Sequence, residues 1–541
     1  MMHRNRSVNV HQFSMVPRAD IPRSGFNIES SYKTTFNAGL LIPVYLEEVL
    51  PGDSFNLKAT MFARLATPIV PIMDNLYLES FYFFVPCRLL WENWQKFMGE
   101  RTQPLSSIDY TVPQVTGPDN GYAVASIGDY FGLPTEGQVT PGQGVGHNAL
   151  PFRAYNLIWN EWFRDQNLQN PAPFSTGDAN DPYTYYGVQR RGKRHDYFTS
   201  CLPWVQKGES VTLPLGQQAP VTFSNAEVEG SYSGNSALLF KASDGNVIAN
   251  SGDLGVNASG QGIYNATGIT ASVGGWYIGN AYADLSEATA STINQIRQAF
   301  QIQKLLERDA RGGTRYTELV RSHFGVISPD ARLQRPEYLG GGTTPINITP
   351  IAQTSQTATE TPQGNLAAVG TGLHRNGFTQ SFTEHGYIIG LINVRADLNY
   401  QQGKHRLWSR QTRYDFYWPV FANLGEQAVL NKEIYYTGVE AQDDAVFGYQ
   451  ERWAEYRYKP SLITGMLRST YSQPLDVWHL AQEFGSLPTL NSTFITDDPP
   501  VDRIIATTDQ TGQQFVIDCL FQNKVARPLP MYSVPGLVDH F

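Results

Sequence analysis

Cysteine is nearly missing from this chain. The 541 residues hold only Cys87, Cys201 and Cys519, far apart and without a CxxC pair. This excludes a disulfide framework and a cysteine-built zinc site, and it suits a reducing compartment. Charge is also scarce: 16% of residues are Asp, Glu, Lys or Arg, and the net charge is −9, so the chain carries no uniform basic coat for nucleic acid. No stretch has 18 consecutive apolar residues, and the opening MMHRNRSVNVHQF has no apolar h-region; neither a membrane-spanning helix nor a signal peptide is expected. Motifs of common catalytic sites are absent. There is no HExxH, and His374, His385 and His405 lack ligand spacing on a common face. GQGVGHN at 142–148 follows Pro141 and fits neither GxGxxG nor GxxxxGK[ST], so no nucleotide cradle is expected there.

Glycine, proline and aromatics are plentiful: 48 Gly, 33 Pro, 29 Tyr, 28 Phe and 10 Trp. That composition favours many strands and turns over helix bundles. Phe55, Leu57, Ala59, Met61, Ala63 and Leu65 alternate with Asn56, Lys58, Thr60 and Arg64, the pattern of a half-buried strand. From Leu76 to Val85 both parities are apolar, as in a strand covered on both faces, until Pro86 stops it. Further strands are predicted near 33–46, 385–395, 412–420 and 512–521, so the strands cluster at the two ends with some three hundred residues of insertion between them. Leu90, Trp91, Trp94, Phe97 and Met98 have helical spacing up to Gly99. Asp284 and Glu287 have capping-box spacing before a stripe of Ile293, Ile296, Phe300 and Leu306, read as core or subunit packing. The Gly- and Thr-rich region 340–372 reads as loop.

Charge is distributed unevenly. Residues 1–35 carry Arg4, Arg6, Arg18, Arg23 and Lys33 against Asp20 and Glu29, a net +3. RRGKRH at 190–195 is the densest basic run, with Tyr197 and Phe198 beside it either as base-stacking rings or as core. Glu209–Ala283 has 12 Gly in 75 residues and a net −4, an exposed and adaptable composition. Glu451 and Glu455, among aromatics, have the look of a glycosidase carboxylate pair. If that segment is extended, they stand roughly 13 Å apart along the strand, beyond the ~5–9.5 Å such enzymes use. Pairing with Arg452, Arg457 or Lys459 is the better reading, although a carbohydrate-binding or carbohydrate-active β-sandwich, or a lectin-like module, remains the alternative for the chain.

The stretch from Tyr32 to Glu100 resembles the major capsid protein of gokushoviruses, single-stranded DNA phages of the microvirus family. The resemblance continues, in order, through RRGKRHDYFTSCLPW at 190–204, RYTELVRSHFGV at 315–326, RPEYLGG at 335–341 and FGYQERWAEYRYKPS at 447–461. It implies a mainly β protein, an eight-stranded antiparallel viral jelly roll with long loop insertions and a few helices. It also implies a T=1 icosahedral shell around circular single-stranded DNA, assembled in the host bacterial cytoplasm, and no enzymatic activity. The domain layout expected on this basis is a basic arm at 1–35, one jelly-roll domain over 36–541 and a C-terminal extension at 522–541. The insertion at 209–283 is expected to form a surface protrusion for host attachment, through residues such as Glu227, Glu229, Tyr232, Asp244, Asp253 and Tyr264. Expected DNA contacts are Arg4, Arg6, Arg18, Arg23, Arg190, Arg191, Lys193, Arg194, Lys524 and Arg527. Implied partners are further copies of the chain, the DNA genome, a small internal DNA-binding virion protein with other minor virion proteins, and a bacterial cell-surface receptor. No cofactor and no metal is implied.

Overall fold

The computed structural model describes residues 22–211, six short strands between 221 and 283, and residues 293–532 except 356, 358–362 and 507–512. Eight long strands make the frame: β1 (Ser24–Phe36), β2 (Ile42–Val49), β3 (Ser54–Leu65), β4 (Leu76–Pro86), β5 (Glu337–Ala352), β6 (Leu366–Ser381), β7 (Gly386–Ala396) and β8 (Phe515–Arg527). Their hydrogen-bonded order is β1-β8-β3-β6-β5-β4-β7-β2, with every pairing antiparallel. Strand β5 joins two layers, because Glu337–Ile346 pairs with β4 whereas Asn347–Ala352 pairs with β6. One layer is therefore β1-β8-β3-β6 and the other β5-β4-β7-β2, the jelly-roll sandwich that the sequence led us to expect.

Alternation explains the interior. In β3 the residues from Phe55 to Leu65 at odd positions are buried, and in β8 Phe515, Ile517, Cys519, Phe521 and Val525 face the same core. Leu76, Leu78, Tyr82 and Phe84 of β4 and Ile388, Ile392 and Val394 of β7 meet them from the other layer. Each large aliphatic or aromatic side chain buried here contributes about 1.5–3 kcal/mol. The tight connection into β3 is built by Pro51, Gly52 at φ +94° and Asp53, whose carboxylate accepts from the Leu50 N–H at 2.9 Å.

The two layers differ on their outer faces. The other parity of β4 and β7, including Phe83, Val85, Tyr387, Ile389 and Leu391, packs in a second core with Trp91 and a helix, α1 (Leu150–Ile158). Both strands are thus covered on both sides, as the run from Leu76 to Val85 indicates. A third core gathers Tyr197, Phe198, Tyr400, Val429, Phe447 and Phe494. The outer face of β1-β8-β3-β6 has no such cover: Asn56, Lys58, Phe62, Arg64, Leu373, Arg375, Leu520 and Lys524 are exposed.

Several expectations need correction. The stretch 33–46 is two strands separated by a turn in which Gly39, at φ +78°, leaves no room for a Cβ beside the Asp497 carbonyl. Residues 24–36 are an edge strand paired along its whole length with β8, so they are strand rather than arm, and 522–527 belong to β8. Region 340–372 is mostly strand. Its glycines are needed where Gly341 passes against the Ser80 carbonyl, next to a bulge between Tyr338 and Gly340. The 412–420 segment forms two 3₁₀ turns, Arg413–Asp415 and Pro419–Phe421, because the Asp415 carboxylate accepts from the Gln411 and Thr412 N–H groups and so fixes a turn. The helix read at 90–98 is two turns, Cys87–Leu90 and Trp94–Phe97, broken where Trp91 turns extended and donates its indole N–H to Asp178 at 2.6 Å.

Residues 206–309 form a second compact unit. Three antiparallel ladders are nested in it: Val221–Phe223 with Ala281–Ala283, Phe240–Ala242 with Trp276–Ile278, and Gly252–Val256 with Gly262–Ala266. The helix Ile293–Gly312 follows, with Ile293 and Phe300 exposed rather than in a core; the capping residues Asp284 and Glu287 lie outside the described residues.

Candidate nucleic-acid interface

The basic run at 190–194 is sewn into the fold. Arg191 N–H donates to Gly39 O at 2.9 Å, Asp497 N–H to Arg191 O at 2.8 Å, and Lys193 N–H to Ile495 O at 2.7 Å. Arg191 and Arg194 of the run, with Arg395 of β7, converge on Glu79 of β4, which is 5% exposed. Arg191 is ion-paired with it, Arg194 lies at 3.4 Å and Arg395 at 3.0 Å, so three guanidiniums share one carboxylate. Arg194 also reaches Asp397 at 3.1 Å, Arg190 pairs with Asp498 at 2.8 Å, and Lys193 is buried with its ammonium 4.5 Å from the Phe494 ring centre. Tyr197 and Phe198 are core. Arg191 is thus neutralised by Glu79 and Lys193 is buried against the Phe494 ring, so little of either side chain is open to a polyanion.

Positive charge in this joint exceeds its counter-charge. Burial, together with Arg395 and Arg194, pushes Arg191 down to about 9. Asp497 moves the other way: burial raises it to about 7 despite Arg395, Lys193 and Arg191 nearby, and its Oδ2 has no hydrogen-bond partner. Between about pH 4 and pH 7 the folded chain therefore keeps a proton that the unfolded chain releases, so this group's contribution to stability falls as pH rises through that window. Asp497→Asn is expected to stabilise the subunit at pH 8 by on the order of 2–4 kcal/mol and to change little at pH 4. Denaturant unfolding at the two pH values checks this; an equal effect at both would contradict it.

The open face of β1-β8-β3-β6 is different. In register across the sheet lie Lys33, Asp518 and Phe62; then Glu29, Gln522 and Lys58; then Asn27, Lys524 and Asn56. Arg64 and Arg375 extend the same face, and Arg23, just before β1, donates to Ser54 Oγ at 2.8 Å. Six cations thus stand against two carboxylates, a local +4 on a chain of −9. Lys33 pairs with Asp518 at 3.2 Å, and Glu29 accepts from Gln522 at 3.0 Å. Among the described residues Lys58, Arg64, Arg375 and Lys524 have no carboxylate partner. Phe62, Leu373 and Leu520 rise among them, 42–51% exposed. Sequence reasoning overlooks Lys58, Arg64 and Arg375 here, although the signal is present in β3, whose outward positions include Lys and Arg but no Asp or Glu.

Other expected residues fall elsewhere. Arg527 is held by Asp53 at 3.0 Å and Glu47 at 3.2 Å. Arg4, Arg6, Arg18, Glu227, Glu229, Tyr232 and Asp244 lie outside the described residues; Asp253 and Tyr264 occupy the innermost ladder of the second unit, opposite Asn265 and Leu254. Glu451 and Glu455 have separate partners. Glu451 pairs with Arg457 at 2.8 Å, whereas buried Glu455 bonds Arg410 at 3.1 Å and Gln427 at 2.8 Å. Burial pushes Glu455 up, but Gln427, Arg406 and Arg410 outweigh it and hold the carboxyl below the usual range, so it is an ionised structural group.

Comparison with known proteins decides the family. Residues 14–537 match the family described as Capsid protein (F protein). The chain belongs to that capsid protein family. It is 47% identical to Capsid protein VP1 of Bdellovibrio phage phiMH2K over 536 residues, covering 98% of this chain and 99% of the relative. Against Capsid protein VP1 of Chlamydia phage 1 the identity is 43%, and against that of Spiroplasma virus 4 it is 39%, each covering 98% of both chains. The likeness to gokushovirus capsid proteins read from the sequence is borne out. A capsid protein works by packing against copies of itself in the virion shell, so an uncovered sheet face must either meet another subunit or face one side of that shell.

Proposed function

We propose that this capsid protein assembles into a T=1 icosahedral shell around circular single-stranded DNA, with the open face of β1-β8-β3-β6 turned toward the genome. The unpaired cations of that face carry the reading, since a polyanion is the partner that neutralises them and each phosphate bound releases a counterion. Exposed Phe62 adds a ring on which an unpaired base can stack. The basic segment before Ser24 continues from the edge strand of the same layer and supplies Arg4, Arg6 and Arg18 to the same task. The role is structural rather than catalytic. Assembly takes place in the host cytoplasm, where the three buried thiols stay reduced. Small virion proteins bind within the shell, and the acidic 209–283 segment forms the protrusion that meets a bacterial receptor.

Replacing Lys58, Arg64, Arg375 and Lys524 by Gln tests the genome-facing surface. Closed particles should still form, but with less nucleic acid, read as a lower ratio of absorbance at 260 nm to 280 nm. For single-stranded DNA binding, four lost phosphate contacts should flatten the log–log salt slope by roughly 3. Parental DNA content together with a parental slope would reject the assignment.

A further inference from the structure

The insertion between β7 and β8, residues 397–514, carries a surface that the genome-facing reading leaves unused. Trp408, Tyr414, Phe416, Tyr417, Trp418 and Tyr456 are 45–72% exposed, and Val420 beside them is 84% exposed. At 150–250 Å² per ring, the six rings present about 600 Å². The largest apolar patch of a typical monomer is about 300–600 Å² and often functional, so this one lies at the upper end of that range, and a standard interface takes about 800 Å² per partner.

The rings are held in place in two groups that neighbour each other along the chain. Tyr417 lies 5.6 Å from Trp453 and 6.2 Å from Tyr456 between ring centres. Arg410 sits over Tyr456 and Phe416, at 4.6 and 5.5 Å, and Arg413 over Tyr414 and Trp418, at 5.8 and 5.6 Å. Trp418 donates its indole N–H to Arg413 O at 2.9 Å, and buried Trp453 donates its own to Phe421 O at 2.9 Å. The two 3₁₀ turns therefore present fixed rings rather than a loose loop, which lowers the ordering cost of docking. Beside them Trp408, Tyr456 and Leu462 line a cleft of about 580 Å³ able to seat a protruding side chain. Tyr, Trp and Arg in one patch is the composition of interface hot spots.

We infer that this aromatic ridge is a contact at which a second copy of the chain docks in the shell. The inference rests on the shell reading above. A second copy is favoured over a foreign protein because the chain belongs to a capsid family, whose members meet their own copies at high local concentration and bury large surfaces permanently.

The test uses the full chain with Trp408→Asp and Val420→Asp, two side chains exposed enough to leave the fold intact. The expected result is a soluble subunit with the parental circular dichroism spectrum and at least a tenfold loss of particles in sedimentation. Particles at parental yield would overturn the inference. As a second reading, Val420→Cys introduces one exposed thiol, the natural cysteines Cys87, Cys201 and Cys519 all being buried. In the Val420→Cys chain itself, a bulky maleimide should label it at least tenfold faster in subunits released from particles with the parental circular dichroism spectrum than in the intact particles; equal rates would overturn the inference even if the Asp variants failed to fold. If the parent chain itself formed no particles, the shell reading would fall, not merely this contact.

Discussion

Glu79→Ala is expected to cost about 3–5 kcal/mol of subunit stability. The loss leaves Arg191, Arg194 and Arg395 facing one another where a single carboxylate now serves all three, on a strand buried on both faces. Arg194 keeps Asp397. Among the described residues the carboxylate neighbour left to Arg191 and Arg395 is Asp497, which already resists ionisation. Glu79→Gln should be milder, because it preserves an acceptor while removing the charge. Denaturant unfolding of the soluble subunit measures both, and a cost below about 1 kcal/mol for the Ala variant would mean that water already solvates these guanidiniums.

Arg153→Ala should be comparably severe. Arg153 is fully buried on α1 and bonds Asp181 through both oxygens at 2.7 and 3.0 Å. It also donates to the carbonyls of Leu90, Gly177 and Ala179 at 3.0–3.2 Å, so one side chain ties the second core's helix to the turn Cys87–Leu90 and to two loop carbonyls. Truncation strands those carbonyls and leaves the Asp181 carboxylate buried with only the Tyr186 hydroxyl, a loss on the order of 4–5 kcal/mol. Removing the partner charge as well, in Arg153→Met with Asp181→Leu, should restore part of the stability. A double variant worse than Arg153→Ala would contradict the view that the buried unpaired charge dominates.

The frame was legible in the sequence where one face or both faces of a strand lie in the core. β3, β4 and β7 announce themselves through alternation or through continuous apolar runs, and their boundaries agree with the structure to a residue or two. β5 and the start of β6 are hidden because their Gly- and Thr-rich sequence resembles loop; Gly340 and Gly341 lie against the Gly377 and Ser80 carbonyls, a close approach that only the neighbouring strands reveal. β1 is disguised by its polar outer face, so its basic residues read as an arm. At the site, RRGKRH attracts attention as a dense run, yet its counter-charge Glu79 lies more than a hundred residues away in sequence. The cations of the open sheet face are the reverse case. They are scattered over four strands, and only the registers of β1, β8, β3 and β6 bring them together. Local patterns can show which side of a strand is buried; they do not show which distant charges share a surface.

Cryo-electron microscopy of particles formed by the full chain bears most directly on the central claim. The expected reconstruction is a closed icosahedral shell in which Lys58, Arg64, Arg375 and Lys524 line the lumen against nucleic-acid density. A shell with that sheet face on its outer surface, or a monodisperse subunit that no partner virion protein brings to assembly, would contradict it.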